Sequence, residues 1–147
     1  MAVNLLIMVI AVPLVIAIIN VILPAIIRKI LTFAALGYTL VLAYFLYMEP
    51  PPAVILFGET VFAIDRMSIF AIVFIQALSF IILIFSLKGV TREIEKSFFV
   101  LYPMTVAFCN GVVVSENMIS LLIFWGLSGM ALYFFALLGR TKDAPQT

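Results

Sequence analysis

Basic and acidic side chains alternate from gap to gap between long apolar stretches, and this pattern constrains the chain more than any other feature. Seven of the eight Lys and Arg residues fall in one set of gaps: Arg28 and Lys29, then Lys88, Arg92 and Lys96, then Arg140 and Lys142. The other gaps carry Glu49, Glu59, Asp65 and Glu116, with Arg66 the lone base. A chain that is 67% hydrophobic and 10% charged cannot cover its apolar side chains within a water-soluble fold of 147 residues, so lipid is the expected solvent. Cytoplasmic loops of membrane proteins are enriched in Lys and Arg, which places the basic gaps inside.

A helix needs about 20 mostly apolar residues to cross the hydrocarbon layer. The candidate spans are residues 4–27, 31–48, 67–87, 97–114 and 117–139. The expected fold is therefore an all-α integral membrane protein, a single transmembrane domain over residues 1–147. It has five helices, the N-terminus outside and the C-terminus inside, as a multi-pass protein of the cell membrane. The first stretch lacks a basic leader and is too long for a signal peptide core, so it is read as a retained span. Pro13 and Pro24 are expected to interrupt it, each removing a backbone donor.

Only Ser115, Glu116 and Asn117 separate the last two spans, which must then be adjacent and antiparallel, with Asn117 or Ser115 as N-cap of the fifth. The gap between the second and third spans is the one segment that does not read as helix. Pro50, Pro51 and Pro52 stiffen its start, and two β-rich runs flank Gly58-Glu59. A small external β-hairpin is expected there, with glycine supplying the positive φ of a type II′ turn. Asp65 is positioned to cap the third helix and complement its dipole.

A net charge of +1 and a short, mixed C-terminal tail give no polyanion-binding signature, so no nucleic-acid partner is expected. Histidine is absent and Cys109 is the only cysteine, so no His/Cys set for zinc, haem or an iron–sulfur cluster exists within the chain, and no cofactor is expected. Nor is there a nucleophile–base pair or a glycine-rich phosphate loop, leaving no catalytic site for an enzyme acting alone. The deep polar residues are Asn20, Ser68, Gln76, Ser79, Ser86, Thr105, Asn110, Ser120 and Ser128. All are neutral, whereas ion relay across a bilayer rests on ionisable groups at depth.

Six positions stand out as candidate ion-path or helix-packing residues. Gln76 lies midway along the third span; it either forms an interhelical hydrogen bond, the favoured reading, or lines a wet path with Ser79. Asn110, beside Cys109, has the same two readings. Gly126, Ser128 and Gly129, with Ser120 and Ala131, form a small-residue strip on the fifth span that would let another helix approach closely. Trp125 sits mid-span rather than in the interfacial belt, and its indole donor is expected to face another helix.

Two segments carry a resemblance. Phe62-Ala-Ile-Asp-Arg-Met-Ser-Ile-Phe70 is similar to the "hydrophobic, Asp, x, Leu-Ser" entry into the third helix of the antiporter-like subunits of respiratory complex I, Mrp-type cation/proton antiporters and membrane-bound hydrogenases. Gly111-Val-Val-Val-Ser-Glu-Asn-Met-Ile-Ser-Leu-Leu-Ile-Phe-Trp125 resembles the family's stretch from "Ser-x-Asn-Leu" into "Phe-Trp-Glu-Leu". The match covers nearly all of this chain and corresponds to the N-terminal part of a full-length family member. In the family a glutamate follows the tryptophan and pairs with lysines on later helices; here that position is Gly126.

The resemblance implies a small, non-pumping membrane subunit of a multi-subunit, ion-translocating oxidoreductase, complex I-like or of the membrane-bound hydrogenase type. Such a subunit would pack against antiporter-like neighbours within the bilayer. The alternatives are one half of a split cation/proton antiporter completed by a partner chain, and a membrane assembly factor.

Overall fold

The computed structural model describes residues 2–139, with side chains from Leu5 onward; the tail bases Arg140 and Lys142 lie outside the described residues. Five helices and one hairpin follow in order: α1 (Ala2–Ile19), α2 (Ala25–Met48), β1 (Val54–Leu56), β2 (Glu59–Phe62), α3 (Arg66–Gly89), α4 (Glu95–Val114) and α5 (Met118–Leu138). Helices α2 to α5 are each long and apolar enough to cross a bilayer, while the apolar part of α1 is shorter. The chain is a multi-pass membrane protein.

The first helix departs from its expected span of 4–27. It ends at Ile19, giving 18 residues, or about 27 Å of rise against a hydrocarbon layer of about 30 Å. Pro24 bars the helix from continuing, and tertiary contacts fix where before it the helix stops. The Asn20 side chain is fully buried and donates to Thr32 Oγ1 and the Phe99 carbonyl, both at 2.7 Å, which turns the chain into the bundle. Pro13 is accommodated inside α1, whereas Pro24 is the N-cap of α2, where its fixed φ and missing N–H cost nothing. The gap bases Arg28 and Lys29 therefore belong to the first turns of α2.

Helices α1, α2, α3 and α4 form a four-helix bundle in which α1 and α3 each pack on both α2 and α4. Helix α5 stands outside it, packed on α4. The buried residues of α3, Ile69, Ile72, Gln76, Ser79 and Leu83, recur every three or four positions, the spacing of one helical face. The interior separates into two apolar clusters. One, towards the hairpin, joins Leu6, Val9, Leu46, Val54, Ile72 and Val114; the other, towards the opposite end, joins Leu36, Leu83, Phe99, Tyr102 and Val106.

Between β1 and β2 the turn residues are Phe57 and Gly58, at φ 55° and 83°. Two positive φ values make this a type I′ connection rather than the expected type II′ turn at Gly58-Glu59, and Glu59 instead opens β2 opposite Leu56. A bulge between Val54 and Ile55 shifts the register so that Val54 pairs with Phe62 and enters the core.

The hairpin is anchored to the α4–α5 turn by backbone bonds from Ala63 N–H to the Val114 carbonyl and from Glu116 N–H to the Val61 carbonyl, each 3.0 Å. A two-stranded ribbon is marginal on its own, and this docking supplies what it lacks. Asp65 caps α3 by accepting from Ser68 N–H at 2.7 Å, and Asn117 caps α5 by accepting from Ser120 N–H at 2.9 Å.

Candidate functional site: a neutral polar relay across four helices

A hydrogen-bond chain crosses the bundle between the two apolar clusters. Thr39 of α2 donates to Gln76 Oε1 of α3 at 2.8 Å; Gln76 Nε2 donates to Asn110 Oδ1 of α4 at 2.9 Å; Asn110 Nδ2 donates to the Val9 carbonyl of α1 at 3.0 Å. All three side chains have zero exposure. One polar layer thus touches every helix of the bundle and fixes their register, because sliding any helix by a residue would strand an amide in an apolar environment.

Thr39 was not singled out by sequence, and it could have been. Arg28, Thr32 and Thr39 lie on one buried face of α2 together with Ala35, Leu42 and Leu46, an alignment that follows from helical spacing alone.

The relay has the chemistry of a fastener. Amide and hydroxyl groups hold fixed donor and acceptor roles and do not ionise in the accessible pH range, so a closed chain of them does not carry net protons by titration. Gln76 and Asn110 accordingly make interhelical bonds. The neighbouring candidate Ser79 leaves the relay: its carbonyl accepts from the Tyr102 hydroxyl at 2.6 Å, tying α3 to α4 one turn further on. Among the described residues no three Cys, Asp or Glu side chains converge to hold a metal.

On α5 the expected small-residue strip divides. Ser120, Ser128 and Ala131 are buried, and Ser128 Oγ lies 3.7 Å from Cys109 Sγ of α4. Gly126 and Gly129 lie on the exposed side, and a Cβ built on either would meet no atom within 4 Å. A helix face spans little more than a third of the circumference, so residues two apart in sequence point in nearly opposite directions.

Trp125 also lies on the exposed side of α5. It is 65% exposed and faces away from the other helices of this chain, because the inward positions of α5 are taken by small residues that let α5 lie close to α4. The tight α4–α5 contact centres on Gly111, where a Cβ would fall 2.2 Å from Phe124 Cδ1. Phe124 in turn packs on Phe62 of the hairpin, with ring centroids 5.8 Å apart.

At the end of the bundle remote from the hairpin lies a second polar cluster, which joins the gap base Arg28 to Asn20 of the first expected span and Thr32 of the second. Arg28 is only 6% exposed, and its Nε donates to the Asn20 carbonyl at 3.0 Å while Nη2 donates to the Leu23 carbonyl. Thr32 donates to the Arg28 carbonyl and accepts from Asn20. Beside this cluster Lys29 Nζ pairs with Glu95 Oε2 at 3.1 Å. The signal for it was the placement of Asn20, Arg28 and Thr32 around a proline-bearing helix break. No protein-family model matches the chain, and no curated protein matches it as a relative.

Proposed function

We propose that this chain is a non-pumping structural subunit of a multi-subunit, ion-translocating oxidoreductase in the cell membrane, with its N-terminus outside and its basic gaps in the cytoplasm. The observation that carries the reading is on α5. The position matched to the glutamate of the antiporter-like family is Gly126, which has no side chain and lies on the outer face beside the exposed Trp125.

Three features support it. The buried polar relay is neutral and joined end to end within the chain. The indole N–H of Trp125 makes no hydrogen bond to the described residues and gains a partner only from outside them. Gly126 and Gly129, three apart on the outer face, give a neighbouring helix room for close backbone approach. Leu122, Met130 and Tyr133 complete an apolar surface on that helix for an antiporter-like neighbour.

The test is site-directed crosslinking in native membranes, with Leu122→Cys in a Cys109→Ser background. A specific adduct to another membrane subunit, and recovery of the chain from those native membranes as part of a complex, are expected. Recovery of the chain as a solitary protein without adducts would refute the reading.

The outward position of Gly126 also favours a second reading, in which a partner chain supplies charged groups beside it and the two together form one antiporter unit. Gly126→Glu separates the two. Altered ion pumping by a complex that assembles to the wild-type level supports the split antiporter, and unchanged pumping supports the structural subunit.

A further inference from the structure

We infer that the end of the bundle remote from the hairpin holds one anionic phospholipid, its phosphate in a basic cleft and an acyl chain in the adjoining groove between α4 and α5. The cleft encloses about 470 Å³ and is lined by Ala25, Arg28, Lys29, Arg92, Glu95 and Lys96. Four bases against one acid leave its lining positive, and the acid, Glu95, pairs with Lys29 through Oε2 while its buried Oε1 has no hydrogen-bond partner.

Two structural features make this more than a solvated charge patch. Arg28 is buried and held by two backbone carbonyls, so a guanidinium is fixed in the wall of the cleft. Helices α2 and α4 both begin here, with N-caps Pro24 and Ile94 that supply no side-chain cap. The positive ends of two helix dipoles and their uncapped amides therefore add to the charge of the lining.

The occupant follows from what adjoins the cleft. Lys96 also lines a groove of about 520 Å³ whose walls include Val100, Leu101, Met104, Phe134 and Leu137. Those walls are apolar and run along the helices, on a part of the molecule that meets hydrocarbon. A charged cleft at the helix ends that shares the Lys96 wall with an apolar groove between membrane helices complements a phosphate joined to an acyl chain. A free anion would leave the groove unused, and a zwitterionic headgroup would bring a quaternary ammonium to a cationic wall. Basic clefts between membrane helices at headgroup level are a recurrent form of lipid recognition. The inference needs only that this end meets a leaflet, and does not depend on the identity of the complex.

The experiment is native mass spectrometry of the full chain in a non-ionic detergent, titrated separately with phosphatidylglycerol, phosphatidylcholine and inorganic phosphate. One saturable phosphatidylglycerol is expected, with phosphatidylcholine and inorganic phosphate binding much more weakly. Because each basic side chain near a phosphate is worth about 5-fold in affinity, Arg92→Gln with Lys96→Gln should weaken phosphatidylglycerol roughly 30-fold. Both residues are exposed, so the double variant is expected to fold.

Met104→Trp should weaken the long-chain lipid by narrowing the groove. Equal binding of the two lipids, binding of inorganic phosphate as tight as the lipid, or phosphatidylglycerol binding unchanged in the double variant would each overturn the assignment. So would protection of Lys96 from acylation by a protein partner but not by phosphatidylglycerol, which would make the occupant an acidic protein segment.

Discussion

Replacing Gln76 with leucine should uncouple the helices of the bundle without emptying its core. Leucine nearly matches the glutamine in volume, so the change removes two hydrogen bonds, to Thr39 at 2.8 Å and Asn110 at 2.9 Å, and little packing. The two broken ends are not equivalent. Thr39 keeps its second acceptor, the Leu36 carbonyl at 2.9 Å, whereas Asn110 retains only the bond from Nδ2 to Val9 and its Oδ1 is left bare in a dry interior.

Interhelical hydrogen bonds in membranes average about 0.6 kcal/mol and reach about 1.7 kcal/mol. Two of them, with an orphaned amide oxygen, set the expected loss at about 1–3 kcal/mol. The assay is reversible unfolding of the purified chain in mixed micelles, run as a double-mutant cycle with Asn110→Leu. Once Asn110 is gone, Gln76→Leu should cost less, by a coupling of about 0.6–1.7 kcal/mol. If the two changes add within about 0.3 kcal/mol, the Gln76–Asn110 bond contributes nothing and the relay is not what locks the helices.

Gly111→Ala should destabilise the fold by about 1–3 kcal/mol, since its Cβ would overlap the base of the Phe124 ring and push α5 from α4; retention of wild-type stability in the same micelle assay would show that the contact is slack. Asn117→Ala should cost about 1 kcal/mol through loss of the α5 cap, and Asn117→Asp should restore most of it. Hydrogen bonds from Ser68, the backbone amide above all, hold the Asp65 carboxyl below its ordinary pKa of 3.8. Its capping contribution is thus complete above that value and lost as pH falls through the lower folded one. The Ser68 amide resonance should follow this acid transition in the wild type and stay flat in Asp65→Asn, and an identical transition in the variant would refute the assignment.

Several elements were legible because their causes are local. Runs of apolar residues of bilayer length, the charges that close them, the caps Asp65 and Asn117 and the turn-forming Gly58 act over a few neighbouring positions. The hairpin was legible for the same reason, although its turn fell one residue earlier than the glycine alone suggested, since the bulge at Val54/Ile55 and the bridge from Phe62 to Ser115 accompany a different register.

The orientation of each helix was decided elsewhere. In a soluble protein a polar face marks the side that meets water, but here lipid and core are equally apolar, so α5 presents Trp125 and Ser128 with nothing in its pattern to say which turns inward. Sequence determined that the chain enters a membrane, how many apolar helices it carries and which ends bear positive charge. Pro24 barred a continuous first helix, but tertiary packing decided that α1 stops at Ile19, that Thr39, Gln76 and Asn110 meet, and that Gly126 looks outward. Those outcomes depend on contacts between residues as much as 101 positions apart, whose pairing only close approach of the helices can select.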